Sequence, residues 1–513
     1  MDVQQGYVRV ASVASRAAPR PSVADAIRNR SFATFLALIA LIAALRILSL
    51  ALNGTDLYTD EAQYWAWAQT PALGYFSKPP LIAWIIHGAT AVCGDGEACI
   101  RMPSVVLHAA TAILVYLLGR QLYTSNVGFW AGLGYALLPA VSLSSGIIST
   151  DVPLLAAWAL ALLAFARLLT APTIGGALLL AVALGLGLNA KYAMAYFILC
   201  AAVYFAIAPE RRAILGKPHV WLALVGGLAL IAPNILWNAT NGFVTISHTA
   251  DNANWQGIPF HPDKAAEFFL SQFGVFGPIL FGALLVILWR AIRRPADLAP
   301  ADKLLIVFSV PIIAVVLAQA FASRAHANWA APAYVAAIVL VTAVMIRDRE
   351  WGWMRAAFAI NAALALLLAF ATWQAGRIAL PGIGDPFART LGNSQLAAAV
   401  RDELAEARRK GQPIGSVMTD DRDLAAALSY YGRDLAVPAL SWQGGPAPQH
   451  HFESAQPFTA SSPEPVLLVA SRPAPALVSH FASVSAVKAL PIAAGRHTTR
   501  TVYVATLARF RKR

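Results

Sequence analysis

The sequence predicts a polytopic α-helical membrane protein of about eleven spans, ending in a small soluble α/β domain. Three observations predict it. Of 513 residues, 58% are hydrophobic and only 13% are charged, where soluble domains carry roughly a quarter. Apolar runs near the length of a membrane crossing recur through residue 375. Beyond residue 376 they give way to a mixture of short amphipathic and β-rich stretches. A soluble core of buried helices does not account for so many runs without charge.

The expected spans are 33–53, 101–119, 127–148, 151–169, 174–190, 192–208, 219–237, 269–289, 303–321, 328–346 and 355–375. Residues 1–32 form a polar tail with Arg9, Arg16, Arg20, Arg28 and Arg30 but no signal-peptide cleavage pattern, so the first run is read as a retained span. Residues 79–93, "PPLIAWIIHGATAVC", are apolar but short for a crossing, and are expected to form a helix lying at or dipping into the interface.

The net charge of +13 sits mostly in short loops, which is the pattern that orients a membrane protein. No basic stretch interleaved with aromatics offers a nucleic-acid surface. With the N-terminus in the cytoplasm, the inner loops carry Arg120, Arg167, Arg211, Arg212, Lys217, Arg290, Arg293, Arg294, Lys303, Arg347, Arg349 and Arg355. The opposite loops carry only Lys78, Arg101, Lys191, Lys264 and Arg324. Loops 54–100 and 238–268, and everything after about residue 376, are therefore expected to face outward.

In the last segment, "NSQLAAAVRDELAEARRKG" reads as an amphipathic helix ended by Gly411, and "DRDLAAALSYYG" as a second helix. "PIGSVMT", "PVLLVAS" and "TRTVYVATL" read as strands. The Pro/Gly-rich 379–386, "ALPGIGDP", is the expected linker to an α/β domain over 376–513. Cys93 and Cys99 bracket "GDGEA" in the first outward loop, a spacing compatible with a disulfide or with two free thiols; Cys200 lies in a span.

The residues fitted for chemistry cluster at the outer ends of the spans. "LYTDEAQYWAWAQ" places Asp60 and Glu61 just beyond the first span, with Thr59 or Asp60 as a helix cap. "STDVPLL" places Asp151 at the same depth, where Pro153 suits a first helical turn. Carboxylates at this depth are costly unless paired, solvated or functional. Lys78 in "YFSKPPL", Lys191 in "LNAKYAM", and Arg324 and His326 in "SRAHANWAAPAY" supply cations at that level. Together they suit a phosphate at the membrane surface, although each alone is equally a snorkelling side chain. Arg46, inside the first span, is expected to face the protein interior. His248, Asn254 and Trp255 in "TISHTADNANWQGIPFHPDK", with Tyr75, offer hydrogen bonds and stacking rings for a sugar. The tyrosines and tryptophans equally suit an interfacial belt. The histidines and acids of that loop are compatible with a divalent metal, but no ligand spacing indicates one and the chemistry requires none.

An outward "DE" after the first span, "YFSKPP" in the same loop, "TDVPL" at a later span, "AKY", and a final α/β domain resemble the GT-C glycosyltransferases. The resemblance is to the bacterial branch of the protein O-mannosyltransferase superfamily, which includes lipid A aminoarabinose transferase and rhizobial lipopolysaccharide galacturonosyltransferases. It covers residues 33–375 and implies a polyprenyl-phosphate sugar donor, a lipopolysaccharide acceptor, and a site on the periplasmic face of the bacterial inner membrane. On the matching positions it implies Asp60 as the catalytic aspartate with Glu61 beside it, Asp151 as a second acid, and Lys78 and Lys191 at the lipid phosphate. Aminoarabinose transferases carry an arginine three residues after the aspartate, where this chain has Gln63, and a glutamate before the lysine, where it has Ser77. Those departures favour the galacturonosyltransferases and weaken the case for zinc.

The chemistry expected is inverting transfer, with Asp60 as general base toward an acceptor hydroxyl and cations on the departing phosphate. A protein or another envelope glycan as acceptor remains open. A transporter of lipid-linked sugar would instead favour charges at the bilayer midplane and paired repeats. A membrane scaffold leaves the grouping of Asp60, Lys78, Asp151 and Lys191 unexplained.

Overall fold

The computed structural model describes residues 23–253, 260–382 and 384–511. The first helix, Val23–Ala51, begins well before the apolar run does, because "VADAIRNR" holds several good helix formers. Each expected span is helical, but not all are single straight crossings. Among the described residues six helices are long and apolar enough to cross a membrane, or up to eight if each bent pair is one span.

This is fewer than the eleven expected: Ile174–Ala190 and Ala333–Arg347 are shorter apolar helices, Tyr192–Ile207 bends by 119° into Pro209–Gly216, and two further expected spans are broken. The expected span 127–148 divides into helices Ser125–Ala136 and Pro139–Ser144, because a proline supplies no amide hydrogen and disfavours helical backbone in the residue before it. The expected span 269–289 is two helices, Pro262–Phe276 and Pro278–Arg293, bent by 115°. Gly277 between them has φ +94°, where a Cβ would also strike the Asn361 amide at 2.5 Å. The stretch 79–93 forms the helix Leu81–Cys93 as expected.

Helix Ala333–Arg347 is buried at every position through Met345. It is apolar all round, as a helix enclosed by other helices must be. Arg46 turns inward, its Nη2 donating to the Ala136 carbonyl (2.5 Å) and to Ser142 Oγ (3.2 Å). Pro139 follows closely on that carbonyl, so the broken helix leaves an acceptor for a cation that lipid would not tolerate.

The C-terminal part builds one six-stranded sheet from β1 (Ser416–Thr419), β2 (Ala439–Ser441), β3 (Val466–Ala470), β4 (Phe481–Val484), β5 (Lys488–Ala493) and β6 (Thr499–Phe510). The order is β2-β1-β3-β6-β4. β1 runs parallel to β2 and β3, while β6 runs antiparallel to β3. β4 and β5 share the other edge of β6, in register Phe481↔Phe510 and Leu490↔Val502. Helices Asn393–Arg409 and Arg422–Tyr431 cover one face through Leu396, Val400, Leu424 and Leu428; Phe458, Leu477 and Phe481 pack on the other. The strands read from sequence are β1, β3 and β6, all of them rich in buried aliphatics. β2 is three residues long, and β4 and β5 are mostly exposed, so none carries a strong apolar pattern. The expected linker closes on itself in a tight turn, with Leu380 and Gly384 exchanging backbone hydrogen bonds.

Candidate active site

Tyr58 is the N-cap residue of the helix Thr59–Ala68, so neither Thr59 nor Asp60 caps it. The cap is Glu61, whose Oε2 accepts the Tyr58 backbone N–H at 2.9 Å. Glu61 is 2% exposed and Arg101 is 1% exposed. The Arg101 guanidinium donates to both Glu61 oxygens, Nε to Oε1 at 2.9 Å and Nη2 to Oε2 at 2.8 Å. Oε1 also accepts the Ile148 N–H at 2.9 Å, and Arg101 reaches the Thr55 and Asp56 carbonyls. Both oxygens are therefore consumed, and no face of the carboxylate is left for a substrate. The expectation that Glu61 reacts is corrected: it is a buried anchor tying the first loop to the start of helix Glu97–Leu122 and to the approach to Asp151.

Asp60, its neighbour, points the other way, with 42% of its side chain exposed. Its partner is Arg422, on the first turn of a helix of the sheet domain. The same guanidinium donates Nε to Gln63 Oε1 at 2.8 Å. Gln63 in turn faces Ser77 Oγ at 3.5 Å, so the two positions that depart from the aminoarabinose transferases meet one another, with Arg422 beside them.

Asp151 opens helix Asp151–Leu168 without capping it. Its Oδ1 binds Lys191 Nζ at 2.7 Å and its Oδ2 accepts Asn328 Nδ2 at 2.6 Å. The chain around Lys78 is fixed by backbone contacts. Thr245 Oγ1 donates to the Tyr75 carbonyl at 2.6 Å, and Asn234 Nδ2 to the Leu73 carbonyl at 2.8 Å. Gly74 permits this approach, since a Cβ there would lie 2.3 Å from the Trp237 ring. Lys78 forms no ion pair within 4 Å among the described residues. Burial, with Lys191 nearby, pushes its amine below the usual lysine value, while Asp60 and Asp151 act the other way.

His248 lies at the same place. Its ring sits 5.7 Å from Phe76, and burial with Lys78 and Arg422 holds it below the usual histidine value. His326 is lowered by burial, Arg324 and Lys191, and also feels Asp60 and Lys78. The structure thus brings Asp60, Lys78, Asp151, Lys191, His248, Arg324 and His326 into one electrostatic neighbourhood. Tyr75 is a correction. It is 5% exposed, stacks on Trp67 at 4.8 Å, and uses its hydroxyl on the Ala72 N–H and the Trp67 carbonyl. It is a packing residue with no face for a sugar. Asn254 and Trp255 lie outside the described residues. Among the described residues no three His, Cys, Asp or Glu side chains gather as a metal group.

The sheet domain is bonded to the first loop at many points. Asp56 accepts the Asn393 N–H at 2.7 Å and the Ser394 hydroxyl at 3.0 Å, capping a helix of the other domain. Thr59 Oγ1 binds Asp423 Oδ1 at 2.9 Å, and Tyr431 binds Glu97 Oε1 at 2.5 Å and the Leu57 N–H at 2.6 Å. In the sequence Arg101 stands out only as an outward-loop cation, and Asn328 and Arg422 do not stand out. The one local signal for Arg422 is that a cation in a first helical turn opposes the helix dipole.

Residues 77–237 match the family model described as dolichyl-phosphate-mannose-protein mannosyltransferase. The chain is 34% identical over 410 residues to the lipid A galacturonosyltransferase RgtD of Rhizobium johnstonii, covering 80% of this chain and 84% of that protein. It is 28% identical over 188 residues to the lipopolysaccharide core galacturonosyltransferase RgtA of the same organism, 36% of this chain and 37% of that one. In fold it is similar to the crystal structure of apo ArnT from Cupriavidus metallidurans, with a TM-score of 0.64 at 15% identity, covering 94% of this chain and 99% of that one. With its helical membrane region, its sheet domain and its likeness to RgtD, the chain belongs to the GT-C glycosyltransferase superfamily, in the family of the lipid A galacturonosyltransferase.

Proposed function

We propose that this enzyme transfers galacturonic acid from a polyprenyl-phosphate donor to lipopolysaccharide, at lipid A, with inversion at the anomeric carbon. The observation that carries the reading is a grouping of three features: the partly exposed carboxylate of Asp60, held by Arg422; the partly buried amine of Lys78, without an ion-pair partner among the described residues; and the Asp151–Lys191 pair. In this reading Asp60 accepts the proton of an acceptor hydroxyl as its oxygen attacks the anomeric carbon. The bond from that carbon to the phosphate breaks, and the phosphate leaves on the polyprenyl chain. Lys78 and Lys191 balance its charge, with Arg324 and His326 at the margin. Asp151 and Asn328 hold Lys191, and Glu61 with Arg101 holds the loop that carries Asp60. His248 is kept neutral and serves as a hydrogen-bonding partner for the sugar, in the loop that also carries Asn254 and Trp255.

The relatives named for galacturonosyl transfer to lipid A and to core support the sugar and the acceptor. A second ArnT crystal structure, bound to undecaprenyl phosphate, supports the donor class. We assign residues 33–375 as the membrane region, 1–32 as its cytoplasmic tail, and 376–513 with the site to the periplasm of a bacterial inner membrane. The loop charge asymmetry favours that orientation, and so does the Cys93–Cys99 disulfide, with Cα atoms 5.9 Å apart, which belongs to an oxidising compartment.

The test is mass spectrometry of lipid A and core from cells with and without the gene, alongside transfer by the purified enzyme from synthetic polyprenyl-phosphate galacturonic acid. Loss of a uronic acid from lipid A is the expected result. An unchanged lipid A and core, with no transfer in the purified assay, overturns the reading.

A further inference from the structure

Arg422 is a charged side chain of the sheet domain placed inside the membrane region's site. It has five N–H donors. The described residues engage two of its nitrogens, Nη2 by Asp60 and Nε by Gln63. Gln63 is 1% exposed, so it fixes the guanidinium plane, while the arginine itself is 37% exposed. Nη1 has no hydrogen-bond partner among the described residues. The pair with Asp60 also has a consequence for chemistry: it occupies Oδ1 of the carboxylate that is to meet the acceptor hydroxyl.

We propose that Arg422 recognises the carboxylate of the transferred sugar, exchanging Asp60 for it when the donor binds. This inference rests on the uronosyl reading above. A guanidinium presents a planar fork that fits a carboxylate, and in this structure it already carries one. The exchange replaces one carboxylate by another, so the guanidinium keeps an anionic partner throughout. In the function proposed above Lys78 and Lys191 meet the donor phosphate from the membrane region, which leaves Arg422 for the sugar. A neutral sugar offers nothing to draw Arg422 away, and Asp60 Oδ1 then stays occupied. Discrimination therefore acts on donor binding and on release of the base together. Arg422 opens its helix against the dipole, an arrangement that a solvated surface residue gains nothing from. Asp421 caps that helix, its Oδ1 accepting the Leu424 N–H at 2.9 Å, and so holds Arg422 at the site.

The experiment compares full-length purified enzyme on two synthetic donors, polyprenyl-phosphate galacturonic acid and polyprenyl-phosphate galactose, with kcat and KM measured for each. In Arg422→Gln the ratio of kcat/KM for the acidic over the neutral donor falls by about 10- to 100-fold, the loss expected for hydrogen bonds to a charged group. Arg422→Lys gives an intermediate ratio, because it keeps the charge without the fork, and it carries the test if the Gln variant does not fold. Equal losses on both donors, or an unchanged ratio in both variants, overturn the inference and leave the proposed function standing. A wild-type enzyme that uses the galactosyl donor and not the galacturonosyl one overturns both.

Discussion

Asp60 and Glu61 are adjacent in the chain, yet they belong to two different regions. Glu61 lies in a dry knot with Arg101, at 2% exposure or less, every oxygen bonded. Asp60 lies on an open rim, held by one arginine from another domain. One helical step of about 100° sends neighbouring side chains to different faces, and burial does the rest. A carboxylate becomes a buried anchor in one place and, in the function proposed above, the base in the other. The knot fixes where the rim is, and the proposed function puts the chemistry on the rim.

That division can be broken at either end. The largest expected effect is on turnover: Asp60→Asn lowers kcat by about 10²–10⁴-fold, the usual share of a general base, while membrane insertion and thermal stability stay near wild type. Normal turnover by this variant in a purified assay places the base elsewhere. Glu61→Gln should do the reverse. It leaves Arg101 buried without its counter-charge, a loss of about 3–5 kcal/mol, read as a lower unfolding temperature and poor yield. Wild-type stability in this variant would mean that the knot is not an anchor.

Next comes the phosphate side of the rim. Lys78→Ala should raise the donor KM by about 10- to 100-fold, with unchanged donor affinity counting against its role. Lysine is cationic below its pKa, and burial with Lys191 lowers that of Lys78. Donor binding is therefore fully present at low pH and fades as pH rises, earlier than for an ordinary lysine. The wild-type enzyme suffices for this measurement: a donor KM that stays flat through alkaline pH counts against Lys78 as the cation on the phosphate. The smallest effect belongs to Tyr75→Phe, which deletes a hydroxyl bonded to the Ala72 N–H and the Trp67 carbonyl. A stability loss of about 0.5–1.5 kcal/mol with unchanged kcat and KM is expected; a changed donor KM would return Tyr75 to the sugar.

The membrane region was more legible than the site. Apolar runs are local properties, so the helical membrane region and the short helix Leu81–Cys93 could be read from the chain, while the number of full spans could not. The bend at Gly277 was missed because the apolar run continues through it. In the sheet domain the buried β1 and β3 stood out, while the exposed β4 and β5 did not, since pairing with β6 rather than composition makes them strands. Tyr75 was misjudged because an aromatic beside a lysine looks alike in sequence whether it faces a sugar or Trp67.

What the sequence determined by itself is what depends on neighbours along the chain: apolar length, charge asymmetry, helix and strand periodicity, and the resemblance carried by "DEAQYWAW" and "YFSKPP". What only the tertiary structure decided is which charge meets which. Arg101 lies 40 residues from Glu61, Asn328 lies 177 from Asp151, and Arg422 lies 362 from Asp60. Pairing at such separations is set by how helices and domains pack, and no local pattern encodes it.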